Sequence, residues 1–173
     1  MTTTVRPARV DDFAQIQRIE VAACRAFTDV GYPSVADDPP FSDEELEEAR
    51  APGRLWVAVD DAAGDARPVG YVLAREISGR GHVEQVSVLP DRQGSGIGRL
   101  LIDQVAAWAR ERGLADLTLS TFREVPFNGP LYAHLGFRFM AEEELDDGLL
   151  AERAHEAAHG LDTDARAFML RPL

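Results

Sequence analysis

The chain has 173 residues, 45% of them hydrophobic, which suits one domain (residues 1–173) built around one core. Its net charge is −12, and all 18 of its Lys/Arg positions are arginine, a balance that disfavours nucleic acid as a partner. No apolar run approaches the roughly twenty residues of a membrane span. The opening MTTTVRPARVDD carries no apolar signal core. With a single cysteine, Cys24, and no metal-ligand cluster in sequence, the expectation is a cytoplasmic protein with no membrane partner, no internal disulfide and no metal. The acidic balance serves solubility and also draws cationic substrates such as amines.

Thr4–Pro7 reads as a first strand. Phe13, Ile16, Ile19, Ala23 and Phe27 recur at helical spacing behind Asp11 or Asp12 as a cap. Gly31 to Pro40 is a loop, and Ser42 with Glu45 three residues on forms a capping box for a short acidic helix. Arg54–Asp60 and Pro68–Ile77 read as a hairpin joined by the polar turn Asp61–Arg67. Val83–Leu89 is the next strand, ended by Pro90 and Asp91, since proline has no N–H for a ladder.

A glycine loop follows: Gln93, Gly94, Ser95, Gly96, Ile97, Gly98, Arg99. It leads into an amphipathic helix marked by Leu100, Leu101, Val105 and Trp108 and ended by Gly113. Glycines let the backbone turn tightly and aim several N–H groups one way, and the helix that opens there adds the positive end of its dipole. Such a pocket takes phosphate or pyrophosphate. A P-loop would need Lys and Ser/Thr after the last glycine, where Arg99 and Leu100 stand. A dinucleotide fingerprint would need glycine at position 99.

Ala115–Thr121 is a strand parallel to the Val83 strand through a right-handed crossover. Asn128–His134 is a short helix with Pro130 near its start, and Phe137–Ala141 a strand. Glu142–Asp147 reads as an exposed acidic loop, Leu149–His159 as a helix with a thin apolar face, and Ala165–Leu170 as the last strand.

The run V-x-P-x-x-Q-G-x-G-I-G-x-L-L from Val88 to Leu101 resembles the acetyl-coenzyme A signature of the GNAT superfamily of N-acetyltransferases. The resemblance covers most of the element order and is strongest from His82 to Phe137; Gly148–Asp164 has no family counterpart. It implies an α/β fold: a mixed sheet of about six to seven strands with flanking helices, whose two central strands splay to admit the cofactor.

It also implies roles. Backbone N–H groups from Gln93 to Arg99 would hold the pyrophosphate of acetyl-CoA, and the pantetheine arm would pair with Val86, Ser87 and Val88. The Val88 N–H would be the oxyanion donor. That strand edge asks for cover by a ligand or a neighbouring copy, in a monomer or a homodimer. Glu84 shares a strand face with Val86 and Val88 and matches the position of the family's glutamate base; the plain alternative is a strand glutamate in a surface ion pair. His82 is a second base candidate, read otherwise as a hairpin-end histidine facing solvent.

Tyr132, in N-G-P-L-Y-A-H-L-G-F, resembles the family's Y-x-x-x-G-F tyrosine, the acid for the departing thiolate; the alternative is a core tyrosine. The family's asparagine seven residues earlier is Val125 here, and Asn128, four residues before Tyr132, is the candidate to cap the helix and touch the cofactor. The acceptor is a small-molecule or peptide primary amine, met by Phe27–Phe41, Trp56 and Phe122–Phe127, with Tyr32, Phe41 and Phe127 as aromatic walls and Asp37 and Asp38 for a cation; core packing is the alternative for the aromatics. A non-catalytic acyl-CoA-binding or sensing domain of the same fold is the competing reading, and the presence of both Glu84 and Tyr132 favours the enzyme.

Overall fold

The computed structural model describes residues 2–60 and 67–173. The hairpin turn expected at Asp61–Arg67 therefore falls, but for its last residue, outside the described residues. Seven strands form one mixed sheet in the order β1-β2-β3-β4-β5-β7-β6, with helices flanking it. The strands are β1 (Thr3–Pro7), β2 (Leu55–Asp60), β3 (Pro68–Ile77), β4 (Arg80–Val88), β5 (Asp116–Phe122), β6 (Arg138–Phe139) and β7 (Arg166–Pro172). The helices are α1 (Phe13–Cys24), α2 (Pro33–Ala36), α3 (Asp43–Arg50), α4 (Ile97–Glu111), α5 (Gly129–His134) and α6 (Asp147–Ala158). The chain divides into two compact units interleaved in sequence: Met1–Ala74 with Gln85–Val105, and Arg75–Glu84 with Ala106–Leu173.

In the first unit β2 lies between β1 and β3, antiparallel to both, and each of its residues is buried, as a central strand rich in Val, Leu and Trp requires. Phe13, Ile16 and Ile19 of α1 and Leu46 and Ala49 of α3 pack on Leu55, Val57, Val59, Tyr71 and Leu73. Burial of this apolar face, at about 25 cal/mol per Å², is what holds α1 and α3 on the sheet. Ser42 caps α3 as expected: its hydroxyl accepts the Glu45 N–H at 3.3 Å, and the Glu45 carboxylate accepts the Ser42 N–H at 2.8 Å. Asp12 differs from expectation. Rather than capping α1 it accepts the Arg9 N–H at 2.8 Å and two bonds from the Arg6 guanidinium. The start of α4 lies close on β3: a Cβ on Gly70 would come within 3.2 Å of both Ile97 Cγ2 and Leu101 Cδ1.

In the second unit β5 runs antiparallel to β7 over its whole length, and β6 adds to the far edge of β7. The parallel ladder of β4 with β5 is two pairs long, Gly81 with Leu117 and His82 with Thr118. Gly81 admits the end of α4, since a Cβ there would meet Ala109 Cβ at 3.1 Å and Leu117 Cδ2 at 2.8 Å. The acidic stretch 142–147 is not a loose loop. Glu142 pairs with Arg153 at 2.6 Å, Glu144 with Arg138 at 2.7 Å and Asp146 with Arg80 at 2.6 Å. Asp146 also caps α6 by accepting the Leu149 N–H at 3.0 Å. The thin apolar face read in α6 has a structural cause: its buried stripe is Leu149, Glu152 and Glu156.

Candidate functional site

In the first unit the site is made of main chain. Leu89 N–H donates to Val69 O at 2.9 Å and fixes the exit from β4. Pro90 starts a 3-10 turn whose Arg92 pairs at 2.7 Å with Asp60, itself 5% exposed. Gln93 Nε2 reaches back to Val88 O at 3.3 Å, so the end of Val86–Val88 and the glycine loop are tied together. Ser87 is buried, and its hydroxyl accepts from Gln85 Nε2 at 3.1 Å. Ser95 Oγ donates to Arg92 O. Gly94 and Gly96 sit at φ +76° and +84°, where a side chain costs about 1–2 kcal/mol. A Cβ on Gly94, Gly96 or Gly98 would meet nothing within 4 Å.

Among the described residues, no N–H from Gly94 to Arg99 donates to a protein acceptor; the first that does is Leu100, to Gly96 O at 3.1 Å. These are the orphan donors of a helix start, carrying the positive end of the α4 dipole. Unpaired donors at a helix start suit an anion, and in that respect the residues present fit the pyrophosphate of acetyl-CoA.

In the second unit the site is made of side chains. Glu84 of β4 accepts a short hydrogen bond from Arg75 Nε of β3, while Arg75 Nη2 donates to Glu152 Oε2 of α6 at 2.6 Å. Burial raises the proton affinity of the Glu84 carboxyl, Arg75 opposes this and Glu152 adds to it. His82 does not face solvent, which corrects the expectation. It is 2% exposed, with Nδ1 at 2.9 Å from the buried Thr118 Oγ1 and its ring 6.4 Å from that of Phe168. Burial, helped by the Arg75 charge, pulls its pKa down to about 4, so the ring is neutral at neutral pH. His82, Glu84 and Glu152 offer ligand atoms within 4.8 Å of one another, a grouping not visible in sequence. The Arg75 guanidinium already engages both carboxylates, so the arrangement reads as an ion-pair network rather than a metal centre.

Tyr132 rides on α5, whose first residue must be glycine: a Cβ on Gly129 would lie 2.3 Å from Arg123 O. The Tyr132 ring meets Phe137 edge-on at 6.0 Å. Burial pushes its hydroxyl up to about 12, against the pull of Arg166, so it keeps its proton. Asn128 stands at the cap position of α5, but its Nδ2 donates to Phe127 O at 3.0 Å and its side chain does not cap the helix.

The residues proposed for the acceptor divide. Trp56 and Phe122 are core, at 5% and 1% exposed, and Phe41 packs on the core of the first unit. Tyr32 and Phe127 are half-buried, and Asp37 and Asp38 exposed. In the second unit a cleft of about 60 Å³ is lined by Ser120, Arg123, Arg153, Glu156 and Arg166. Arg153 and Arg166 are already paired there, with Glu142 and Glu156. Sequence reasoning missed Arg75, Thr118, Glu152 and Glu156. The one available signal was acids at i, i+4 in LLAERAHEAAH, where an inward apolar stripe should stand.

The streptothricin acetyltransferase of Streptomyces lavendulae is 35% identical over 114 residues, 64% of this chain and 57% of that protein. The peptidyl-lysine N-acetyltransferase YjaB of Escherichia coli is 31% identical over 93 residues, 54% of this chain and 55% of that protein. The chain thus spans little more than half the length of these relatives. In fold it matches the crystal structure of the PaiA N-acetyltransferase of Thermoplasma acidophilum in complex with coenzyme A, with a TM-score of 0.75 at 12% identity over 100% of both chains. Residues 16–137, from the first turn of α1 through the glycine loop to just beyond α5, match the family described as Acetyltransferase (GNAT) family. With well over half of the chain inside that match, the protein belongs to the GNAT acetyltransferase family.

Proposed function

We propose that the chain is a single cytoplasmic N-acetyltransferase domain that moves an acetyl group from acetyl-CoA to a primary amine by direct attack. One observation carries this reading: the row of unpaired N–H groups from Gly94 to Arg99, in a turn where Gly94 and Gly96 take positive φ. Those groups, with Gln93, bind the pyrophosphate, and Val86, Ser87 and Val88 pair with the pantetheine arm, with Asn128 a further cofactor contact. The amine attacks the thioester carbon, negative charge gathers on the carbonyl oxygen, and the Val88 N–H stabilises it.

Glu84 takes the amine's proton, directly or through a water. Its burial supports that role, because a carboxyl with raised proton affinity is a better base near neutral pH. His82 suits it less, since a ring with a pKa of about 4 holds a proton poorly. The C–S bond then breaks, and Tyr132, still protonated, donates to the leaving thiolate. The acceptor is a cationic amine. The net charge of −12 draws cations, and the named relatives act on streptothricin and on peptidyl-lysine.

Two measurements test this. Acetyl-CoA should raise the melting temperature and NAD should not. A panel containing streptothricin and a lysine peptide, followed by thiol release, should reveal turnover. Binding without turnover on any amine would favour the sensing domain instead, and no binding would remove the reading.

A further inference from the structure

Helix α6 lies beyond residues 16–137, the part matched by the family, yet it delivers a carboxylate to the neighbourhood of Glu84. A helix that packs on a sheet normally buries an apolar stripe. Here two of the three buried positions are glutamates, at 9% and 7% exposed, and each meets an arginine. Glu156 simply closes a pair with Arg166 at 3.1 Å. Glu152 does something different, because its partner Arg75 is already engaged by Glu84. One guanidinium thus serves two carboxylates, and the trio keeps a net negative charge in a half-buried place.

We propose that Glu152 is a positioning residue for Glu84: it holds the second edge of Arg75, so that Glu84 is oriented by the guanidinium without losing its basicity to it. This rests on the reading of Glu84 as the base. An arginine paired with Glu84 alone would fix the carboxylate but also make it a poor proton acceptor. Sharing the arginine separates the two effects, since the geometry stays while part of the positive charge is spent on Glu152. The groups facing Glu84 are Arg75 from β3, His82 from β4, and Glu152 and His155 from α6. His82 is neutral, and His155 opposes Glu152, so the net upward push from α6 comes from Glu152.

The decisive test reads the Glu84 carboxyl directly, by carbon NMR of protein labelled at the glutamate carboxyl carbons. The Glu84 signal is assigned by its loss in Glu84→Gln. In Glu152→Gln the amide oxygen can still accept from Arg75 while the charge is gone, so the Glu84 titration midpoint should move to lower pH. Glu152→Asp keeps the charge and should hold the midpoint close to that of the unaltered protein. A midpoint in Glu152→Gln that stays put or rises overturns the proposal. Should Glu152→Gln not fold, the same comparison is made with Glu152→Met, which keeps the buried volume and removes the charge. Its Glu84 midpoint must be lower than that of the unaltered protein, and equality overturns the proposal.

The pH profile of acetyl transfer to streptothricin or a lysine peptide separates this from the reading beneath it. Loss of the acid limb in Glu84→Gln with an unmoved limb in Glu152→Gln sinks Glu152 alone. An acid limb that survives Glu84→Gln sinks the base assignment, whatever the NMR titration gives.

Discussion

The glycine loop and the Arg75 cluster are built on opposite terms. Around Gly94–Gly98 the protein leaves backbone donors without partners, with Gly94, Ser95 and Gly96 exposed. Around Glu84 each polar group is met: two carboxylates by one guanidinium, a buried imidazole by a buried hydroxyl. The first region is local in sequence, and its chemistry is main chain. The second draws on β3, β4, β5 and α6, and its chemistry is side chain. An unmet donor in open space is a binding surface that water holds until a ligand comes. A met charge in a half-buried place is a tuned group, whose proton affinity depends on its partners.

The contrast breaks most sharply at Gly96. Gly96→Val puts a β-branched residue at φ +84° in the middle of the row of orphan amides. The strain costs about 1–2 kcal/mol of stability, while the bulk of the side chain hinders ligand approach to the amides, so acetyl-CoA affinity should fall by ~100-fold or more. The fold should survive, because the added atoms meet no protein. Calorimetry with acetyl-CoA measures it, and unchanged affinity would mean that the pyrophosphate binds elsewhere.

Tyr132→Phe probes the side-chain region in the opposite way. It leaves the amide cradle alone and removes only a proton donor, so kcat should drop by ~10²-fold or more while the Kd for acetyl-CoA changes by no more than about threefold. Equal losses in both would make the hydroxyl a binding group and not an acid.

His82 offers a stability test in the same region. Its pKa is about 4 in the fold against an ordinary 6.5, so as pH falls the unfolded chain takes up a proton that the folded ring refuses. The sign follows: this contribution to stability is whole above the ordinary value and is lost as pH drops from there toward the folded value. Over that window, about 2.5 pH units, it amounts to ~3 kcal/mol. Urea unfolding at neutral and at mildly acid pH should show a steeper loss for the unaltered protein than for His82→Gln, whose amide can still bond Thr118. Parallel losses would mean that His82 charges inside the fold.

What could be read in advance follows the same line. The capping box at Ser42 and Glu45, the strand Pro68–Ile77 and the helix behind the glycine loop depend on neighbours a few residues away, and they stand as read. So does the tight turn before that helix, where Gly94 and Gly96 take positive φ. His82 reads as solvent-facing in sequence because its burial is decided by Thr118 and Phe168, residues 36 and more positions downstream. The run 142–147 looked like a loop because its acids are consecutive. Their partners Arg138, Arg153 and Arg80 turn them into an anchored cap for α6. Asn128 had the right identity for a cap, but its side chain turns to the Phe127 carbonyl. Glu84 was singled out by its strand position, yet nothing local announced that Arg75 and Glu152 would set its chemistry.

Tyr71 is the case that separates openness with a purpose from a simple cost. It lies in the same unit as the glycine loop and also holds an unmet donor, but it is 0% exposed. Its hydroxyl has no hydrogen-bond partner of acceptable geometry among the described residues. Burial, then the nearby Glu20 carboxylate, drive its proton affinity well above the usual phenol range, while the Ser87 hydroxyl pulls the other way. No ligand can reach such a group from solvent, so it should behave as a buried polar atom left short of a partner. Tyr71→Phe removes it without opening a cavity and should stabilise the protein by ~1 kcal/mol, the lower end of what an unsatisfied buried group costs. Acetyl-CoA affinity and turnover should not change. Chemical denaturation and the acetyl-CoA titration read both outcomes on one variant. A loss of turnover at unchanged stability would instead place the Tyr71 hydroxyl among the working groups, and unmet donors in this unit would then signal function whether or not they face open space.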